Sequence, residues 1–288
     1  MQLRVGGSAG RAWLESLPGI VGELVLRWDL TLGPAFEGGC VGFVASAERA
    51  DGGRVVLKVN RLDDKETLCE ADALVHWHGD GAVRLLDADP DRGALLLERL
   101  EPGTFLGDHP DRDEAISIAC GLLRRLWRGV PKGNRFPSVR GLVLDLAREL
   151  PDRFTFAGRP FEARLLRRAS DLCEELAGSV EPPVIANRDF HLWNILAAQR
   201  EPWLVIDPKP LVGERAFDTG QFLRSLIPEA RDRPMVGRLV DRLAAELELD
   251  SERIRAWALV RSVDDALWGQ EVGFSDVGSD LEIARLLA

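Results

Sequence analysis

Three oxygen-bearing side chains punctuate the stretch 184–218: Asp189, Asn194 five residues on, and Asp207 a further thirteen along. Asp189 follows Val184-Ile185 in a polar turn, Asn194 leads into Ile195-Leu196, and the run Trp203-Leu204-Val205-Ile206 ends at Asp207-Pro208. Short apolar runs bounded by polar turns read as strands, so loops between strands can aim all three side chains at one point. One carboxylate to take a proton, with an Asn and a second carboxylate to hold Mg²⁺, is the equipment for phosphoryl transfer to a hydroxyl. Asp and Asn also gather in ordinary turns, so this chemistry requires a nucleotide site elsewhere in the chain.

The elements upstream are of the right kind. Residues 11–32 carry apolar side chains at mainly helical spacing. Around Gly38, Gly39 and Gly42 the residues are strand-like, and Asp51-Gly52-Gly53 signals a hairpin before Arg54-Val55-Val56-Leu57-Lys58-Val59. Glycines let a hairpin backbone approach a phosphate closely, although many such hairpins are only turns. Lys58 lies within an apolar strand, where it must meet an anion or a solvated face. The helical segment that follows offers Glu66 and Glu70 as partners. Strand patterns at 82–86 and 94–98 flank a turn at 89–93. Composition breaks near Glu101-Pro102-Gly103, and helical periodicity then dominates at 115–128, 139–148, 161–177, 217–228, 233–248 and 251–269. The expected architecture is α+β and bilobal: a small antiparallel β-sheet lobe over 1–100 and a larger, mainly helical lobe over 101–288.

At 288 residues, 45% hydrophobic and 29% charged, the chain has the profile of a globular protein with ample core. A net charge of −10 argues against nucleic acid or an anionic membrane as partner. Cys40, Cys69, Cys120 and Cys173 are widely spaced and suit reduced, buried thiols in a cytoplasmic protein rather than a zinc site or disulfides. Neither a signal-peptide profile nor an apolar run of spanning length is present. Lysine occurs only at 58, 65, 132 and 209, so each lysine in an apolar setting merits inspection.

Several stretches carry a resemblance. They are Trp13-Leu14-Glu15-Ser16-Leu17-Pro18, Val56-Leu57-Lys58-Val59, Gly81 to Leu86, Leu95 to Leu100 with Pro102-Gly103, and Glu201 to Lys209 with Gly213 and Phe217-Asp218. In these the chain resembles the aminoglycoside phosphotransferase family, which has a protein-kinase-like fold, and most of all its streptomycin 6-phosphotransferase and hydroxyurea phosphotransferase branch. The resemblance implies a kinase that uses ATP and Mg²⁺ on a small hydroxylated acceptor. Asp189 would then orient and deprotonate the acceptor, Asn194 and Asp207 would hold the metal, and Lys58 paired with Glu70 would contact the phosphates. Gly38 and Gly39 would cover the nucleotide, and the backbone of Glu98, Arg99 and Leu100 would meet the adenine edge. His191 and Asp218 would brace the loop.

The family writes this loop His-Gly-Asp-Leu-His-x-x-Asn, whereas this chain has Asn187-Arg188-Asp189-Phe190-His191-Leu192-Trp193-Asn194. Arg188 could pair with Asp189, reach the γ-phosphate, or disfavour a polycationic acceptor. Near the C-terminus, helical spacing puts Trp257, Arg261, Asp264 and Trp268 on one face, with Asp265 and Glu271 adjacent. Carboxylates between indoles suit an amino or guanidino acceptor, and the same residues equally suit a core face with Asp264 at its rim. The acidic run Asp108, Asp111, Asp113 and Glu114 fits a helix cap better than a binding site.

Overall fold

The computed structural model describes residues 7–36, 42–62, 69–227, 231–271 and 278–288. Two compact units emerge, one of Met1–Thr104 with Leu196–Ile206, the other of Phe105–Ile195 with Asp207–Ala288.

In the first unit, helix α1 (Gly7–Arg27) precedes strands β1 (Leu30–Ala35), β2 (Phe43–Arg49) and β3 (Arg54–Val59). Helix α2 (Glu70–Trp77) and strands β4 (Leu85–Asp89) and β5 (Ala94–Glu98) follow. The sheet is antiparallel throughout, in the order β1-β2-β3-β5-β4. Alternation along β3 turns Leu57 and Val59 onto Leu17, Val21 and Leu24 of α1, which closes an apolar core. The β2–β3 turn is the one Asp51-Gly52-Gly53 announces: Gly52 has φ +80°, and Asp51 Oδ1 accepts from the Gly53 amide at 2.9 Å.

The strand expected at 82–86 lies three residues later. Ala82 instead bridges Val205, and the Val83 amide donates to the Val205 carbonyl. That partner belongs to a ribbon of β7 (Ile195–Ala197) and β8 (Trp203–Val205). At the ribbon's tip Arg200 donates to the Gly79 and Ala82 carbonyls and to both oxygens of Glu98, which ties residues 196–206 to the first unit.

The second unit holds α3 (Arg112–Leu126), α4 (Val139–Phe156), α5 (Ala163–Ala177), β6 (Val184–Asn187) and β9 (Pro210–Gly213). Beyond these come α6 (Asp218–Leu226), α7 (Arg233–Leu247), α8 (Ser251–Glu271) and α9 (Gly278–Leu287). Asp111 caps α3 by accepting from the Asp113 and Glu114 amides, Ser138 caps α4 and Asp232 caps α7, each satisfying N–H groups that the first helical turn leaves unpaired. β6 pairs antiparallel with β9, from Val184 opposite Gly213 to Asn187 opposite Pro210. The stretch 184–213 is thus two ribbons, β6 with β9 and β7 with β8, and the runs at 184 and 203 are not each other's partners.

Cys69, Cys120 and Cys173 are free and buried, and burial pushes the last two thiols up to about 12. Among the described residues no helix is long and apolar enough to cross a membrane.

Candidate active site

Asn187, the last residue of β6, organises the loop that follows it. Its backbone N–H donates to Asp218 Oδ1 at 2.7 Å, and its side-chain oxygen accepts from the amides of Asp189 (3.1 Å) and Lys209 (3.0 Å). The Arg188 amide donates to the Lys209 carbonyl, so the loop is laced to the residues entering β9. Asp218 is wholly buried at the start of α6, where Trp127 Nε1 donates to its second oxygen at 2.8 Å. Burial pushes its carboxyl up to about 8, with the Trp127 and Asn187 hydrogen bonds acting in the opposite sense. Phe190, fully buried, meets Phe222 of α6 edge to face at 5.3 Å and anchors the loop from below.

Above these anchors Asp189 is partly exposed. Lys209 Nζ lies 3.3 Å from its Oδ2, and His191 Nε2 lies 3.6 Å from its Oδ1. Burial lowers the pKa of His191, while Asp189 raises it by a lesser amount. Asn194 Nδ2 donates to the Asp189 carbonyl at 3.0 Å and lies 3.4 Å from Oδ2. With its amide nitrogen committed to Asp189, Asn194 has its oxygen left as a ligand. Asp207 has φ +50° at the end of the run after β8, and its charge is felt by His191. Among the described residues no group of three or more His, Cys, Asp or Glu is arranged to hold a metal. One amide oxygen and one carboxylate are nevertheless the donor set that Mg²⁺ takes when phosphates and water complete its octahedron.

In the first unit Lys58 and Glu70 form a buried pair. Lys58 Nζ is 2.7 Å from each Glu70 oxygen, and Asn60 Nδ2 donates to Oε2 at 3.0 Å. Buried charges persist only when paired and hydrogen-bonded, and this pair is both. The Glu98 amide is committed to the Arg84 carbonyl, and its carboxylate accepts from the Arg84 amide and Arg200. The Arg99 guanidinium lies over the Phe36 ring at 4.4 Å, and Leu100 is buried. Among the described residues the Leu100 amide and carbonyl make no backbone hydrogen bond. Gly38 and Gly39 lie outside the described residues, as does Glu66.

The residues expected to face an acceptor separate. A pocket of about 260 Å³ in the second unit is lined by Asp145, Glu149, Arg153, Arg188, Arg261 and Asp264, over a floor that includes Phe217 and Trp257. Asp264 is shared by three guanidiniums: Arg153 Nη1 at 2.8 Å on Oδ1, then Arg188 at 3.6 Å and Arg261 at 3.8 Å on Oδ2. Asp265, one residue on, turns to Arg224 at 2.9 Å and Arg261 at 3.1 Å, and burial raises its pKa despite both arginines. Glu271 is held by Arg153 at 2.7 Å. Trp257 is core, donating to Glu214 at 2.5 Å, whereas Trp268 is half exposed. Of the expected set Asp264 lines the pocket, and Asp265, Trp268 and Glu271 do not. Lys209, Asn187 and Arg153 were not singled out as site residues, although the scarcity of lysines had marked Lys209 for inspection.

Comparison with known proteins settles the family. Residues 27–273 match the model of the aminoglycoside/hydroxyurea antibiotic resistance kinases. The chain belongs to that family. It is 38% identical to a streptomycin 6-kinase of Streptomyces griseus, over 99% of this chain and 94% of that protein. To a hydroxyurea phosphotransferase of Kitasatospora aureofaciens it is 41% identical, over 95% of this chain and 79% of the relative. A choline kinase of Streptococcus pneumoniae superposes with a TM-score of 0.65 at 13% identity, covering 94% of this chain and 98% of that one. The protein is therefore a phosphotransferase acting on a hydroxyl group, with the protein-kinase-like fold. The kinase family implies use of ATP.

Proposed function

We propose that this kinase transfers the γ-phosphoryl group of ATP to a hydroxyl of a streptomycin-like aminoglycoside, in the cytoplasm, as a resistance function. The observation that carries the reading is Asp189, held by Asn187 and Asn194 and faced by Lys209, in the loop position where the family places its catalytic carboxylate. Asp189 takes the acceptor proton as the oxygen bonds to the γ-phosphorus and the bond to the ADP oxygen breaks. Lys209, beside Asp189, offsets negative charge where the acceptor oxygen and phosphoryl group meet. Asn194 and Asp207 are the residues that would hold Mg²⁺, and the ion would supply charge neutralisation on the phosphates. Lys58, aimed by Glu70, contacts the α- and β-phosphates, and Leu100 receives the adenine edge. The test is ATP consumption by the purified chain with streptomycin as acceptor. Turnover that rises with streptomycin and yields a phosphorylated product supports the reading; none above background overturns it.

A second reading has its own support. Among the described residues three guanidiniums and three carboxylates line the pocket, a set that by itself gives a polycation no net attraction. Hydroxyurea, on which one relative acts, is a small neutral acceptor compatible with that balance. The same assay with hydroxyurea distinguishes the two.

A further inference from the structure

We propose that Glu214 is a positioning residue for the acceptor: through Arg253 and Trp257 it fixes the face of α8 that walls the pocket, and so sets how tightly the acceptor is held. The proposal rests on the functional reading above, since it places the acceptor in that pocket.

Glu214 directly follows β9, and its carboxylate is buried. A buried carboxylate is costly unless its lone pairs are met, and here donors reach both oxygens. Oε1 accepts from Arg253 Nη2 at 2.7 Å and from Trp257 Nε1 at 2.5 Å. Oε2 accepts from Arg253 Nε at 2.9 Å and from Ser179 Oγ at 2.7 Å. The two bonds from Arg253 form a bidentate fork, which fixes orientation as well as charge. A buried ion pair adds little stability over a well-packed apolar replacement, so the contribution of these directional bonds is geometric.

Arg253 and Trp257 are about one turn apart on α8, and the face they share runs on to Val260 and Asp264. Trp257, Val260 and Asp264 line the pocket, and Arg253 does not. Glu214 therefore grips α8 at one end of its pocket-facing stripe. Trp257 also meets the Phe217 ring edge to face at 5.0 Å. Helix α6 comes flush against it at Gly220, where a Cβ would lie 3.0 Å from the Trp257 carbonyl oxygen. Phe217 and Gly220 line the same pocket. Loss of the carboxylate frees the indole to turn and α8 to slide against α6. That moves the pocket wall against an acceptor and leaves Asp189 and the nucleotide-binding residues untouched.

The experiment compares wild type with Glu214→Gln, with the pair Glu214→Met and Arg253→Met, and with Ser179→Ala. The pair removes both charges together and so guards the fold against a stranded guanidinium. Calorimetric titration with streptomycin and with hydroxyurea reads binding to the nucleotide-free protein. Steady-state kinetics separates the acceptor's KM from kcat and from the KM for ATP. Glu214→Gln and the pair should each bind the accepted compound about ten-fold more weakly, the scale of one lost charged hydrogen bond, and raise its KM alike. Their kcat and KM for ATP should stay near wild type. Ser179→Ala deletes a bond that does not reach α8; it should lower Tm and leave the acceptor's KM unchanged. Folded variants that bind both compounds as wild type does overturn the proposal, and so does a wild type that binds neither. An equal loss in Ser179→Ala, or a KM for ATP that rises in step, also overturns it, because either indicates general loosening. Weaker binding by the variants, with neither compound phosphorylated by wild type, leaves the proposal standing and overturns the functional reading.

Discussion

Asp189 is placed between two basic groups that behave differently. Lys209 brings its ammonium group to 3.3 Å, while His191 at 3.6 Å is held below the usual imidazole range by burial, against the pull of Asp189. Near neutral pH the ring is therefore uncharged, and Lys209 supplies the positive charge beside the carboxylate. Because the folded pKa is below the unfolded one, His191 contributes stability that is present above about 6.5 and lost as the pH falls toward the folded value. A ring titration of His191 by NMR should give a midpoint under 6.5. Correspondingly, His191→Gln should lose less stability than wild type on acidification from about pH 7 to 5. For the reaction, Asp189→Ala should lower kcat by about 10²–10⁴-fold while ATP affinity stays within a few-fold. Undiminished turnover would remove Asp189 from its role. Of these residues, Asp189, Asn194 and Asp207 could be read from type and spacing. Lys209 needed the β6–β9 pairing that sets it across from the loop, and Asn187 had registered only as a departure from the family pattern.

At the scale of elements, the loop is suspended from α6 through Asp218 and Phe190. The raised Asp218 pKa carries a definite sign. Between the ordinary carboxylate value of about 4 and its folded value of about 8, the native state binds the extra proton, so this contribution is full at low pH and fades as pH rises. Asp218→Asn cannot titrate. The gap in Tm between wild type and Asp218→Asn should therefore narrow from pH 5 to pH 8; a gap that widens would contradict the sign. Lys58 and Glu70 make the corresponding case in the sheet. Lys58→Ala strands a buried carboxylate and should cost about 3–5 kcal/mol, whereas Lys58→Met with Glu70→Leu should cost much less. Denaturant titration separates the two, and both variants should lose any ATP-induced rise in Tm.

At the scale of the whole molecule, the chain folds as two compact units and returns once to the first. Residues 196–206 are held there by Arg200, whose guanidinium satisfies two carbonyls and Glu98. Arg200→Ala should raise hydrogen exchange in 196–206 and at 79–84 while leaving α3 to α8 protected; uniform protection of the ribbon would show the arginine is dispensable. This return also explains why the expected strand at 82–86 shifted. The apolar run announces a strand, but its first residue, Ala82, is bridged by Val205 from far along the chain, and the β4 pairing with β5 begins only at Leu85.

What the sequence determined alone was local. Period-two and period-3.6 patterns placed most strands and helices, turn residues placed the β2–β3 hairpin, and the acidic run from Asp108 to Glu114 marked the cap of α3, because each depends on neighbours within a few residues. The same patterns gave no sign of α9. The tertiary structure decided what depends on distant partners: which ribbon holds the Asp189 loop, which cation meets Asp189, and which acids line the pocket. Asp264 and Asp265 are adjacent in the chain, but helical geometry turns one toward Arg153 and Arg188 in the pocket and the other toward Arg224. Adjacent residues of one type read alike in the sequence; the direction of a side chain is set only when the elements pack.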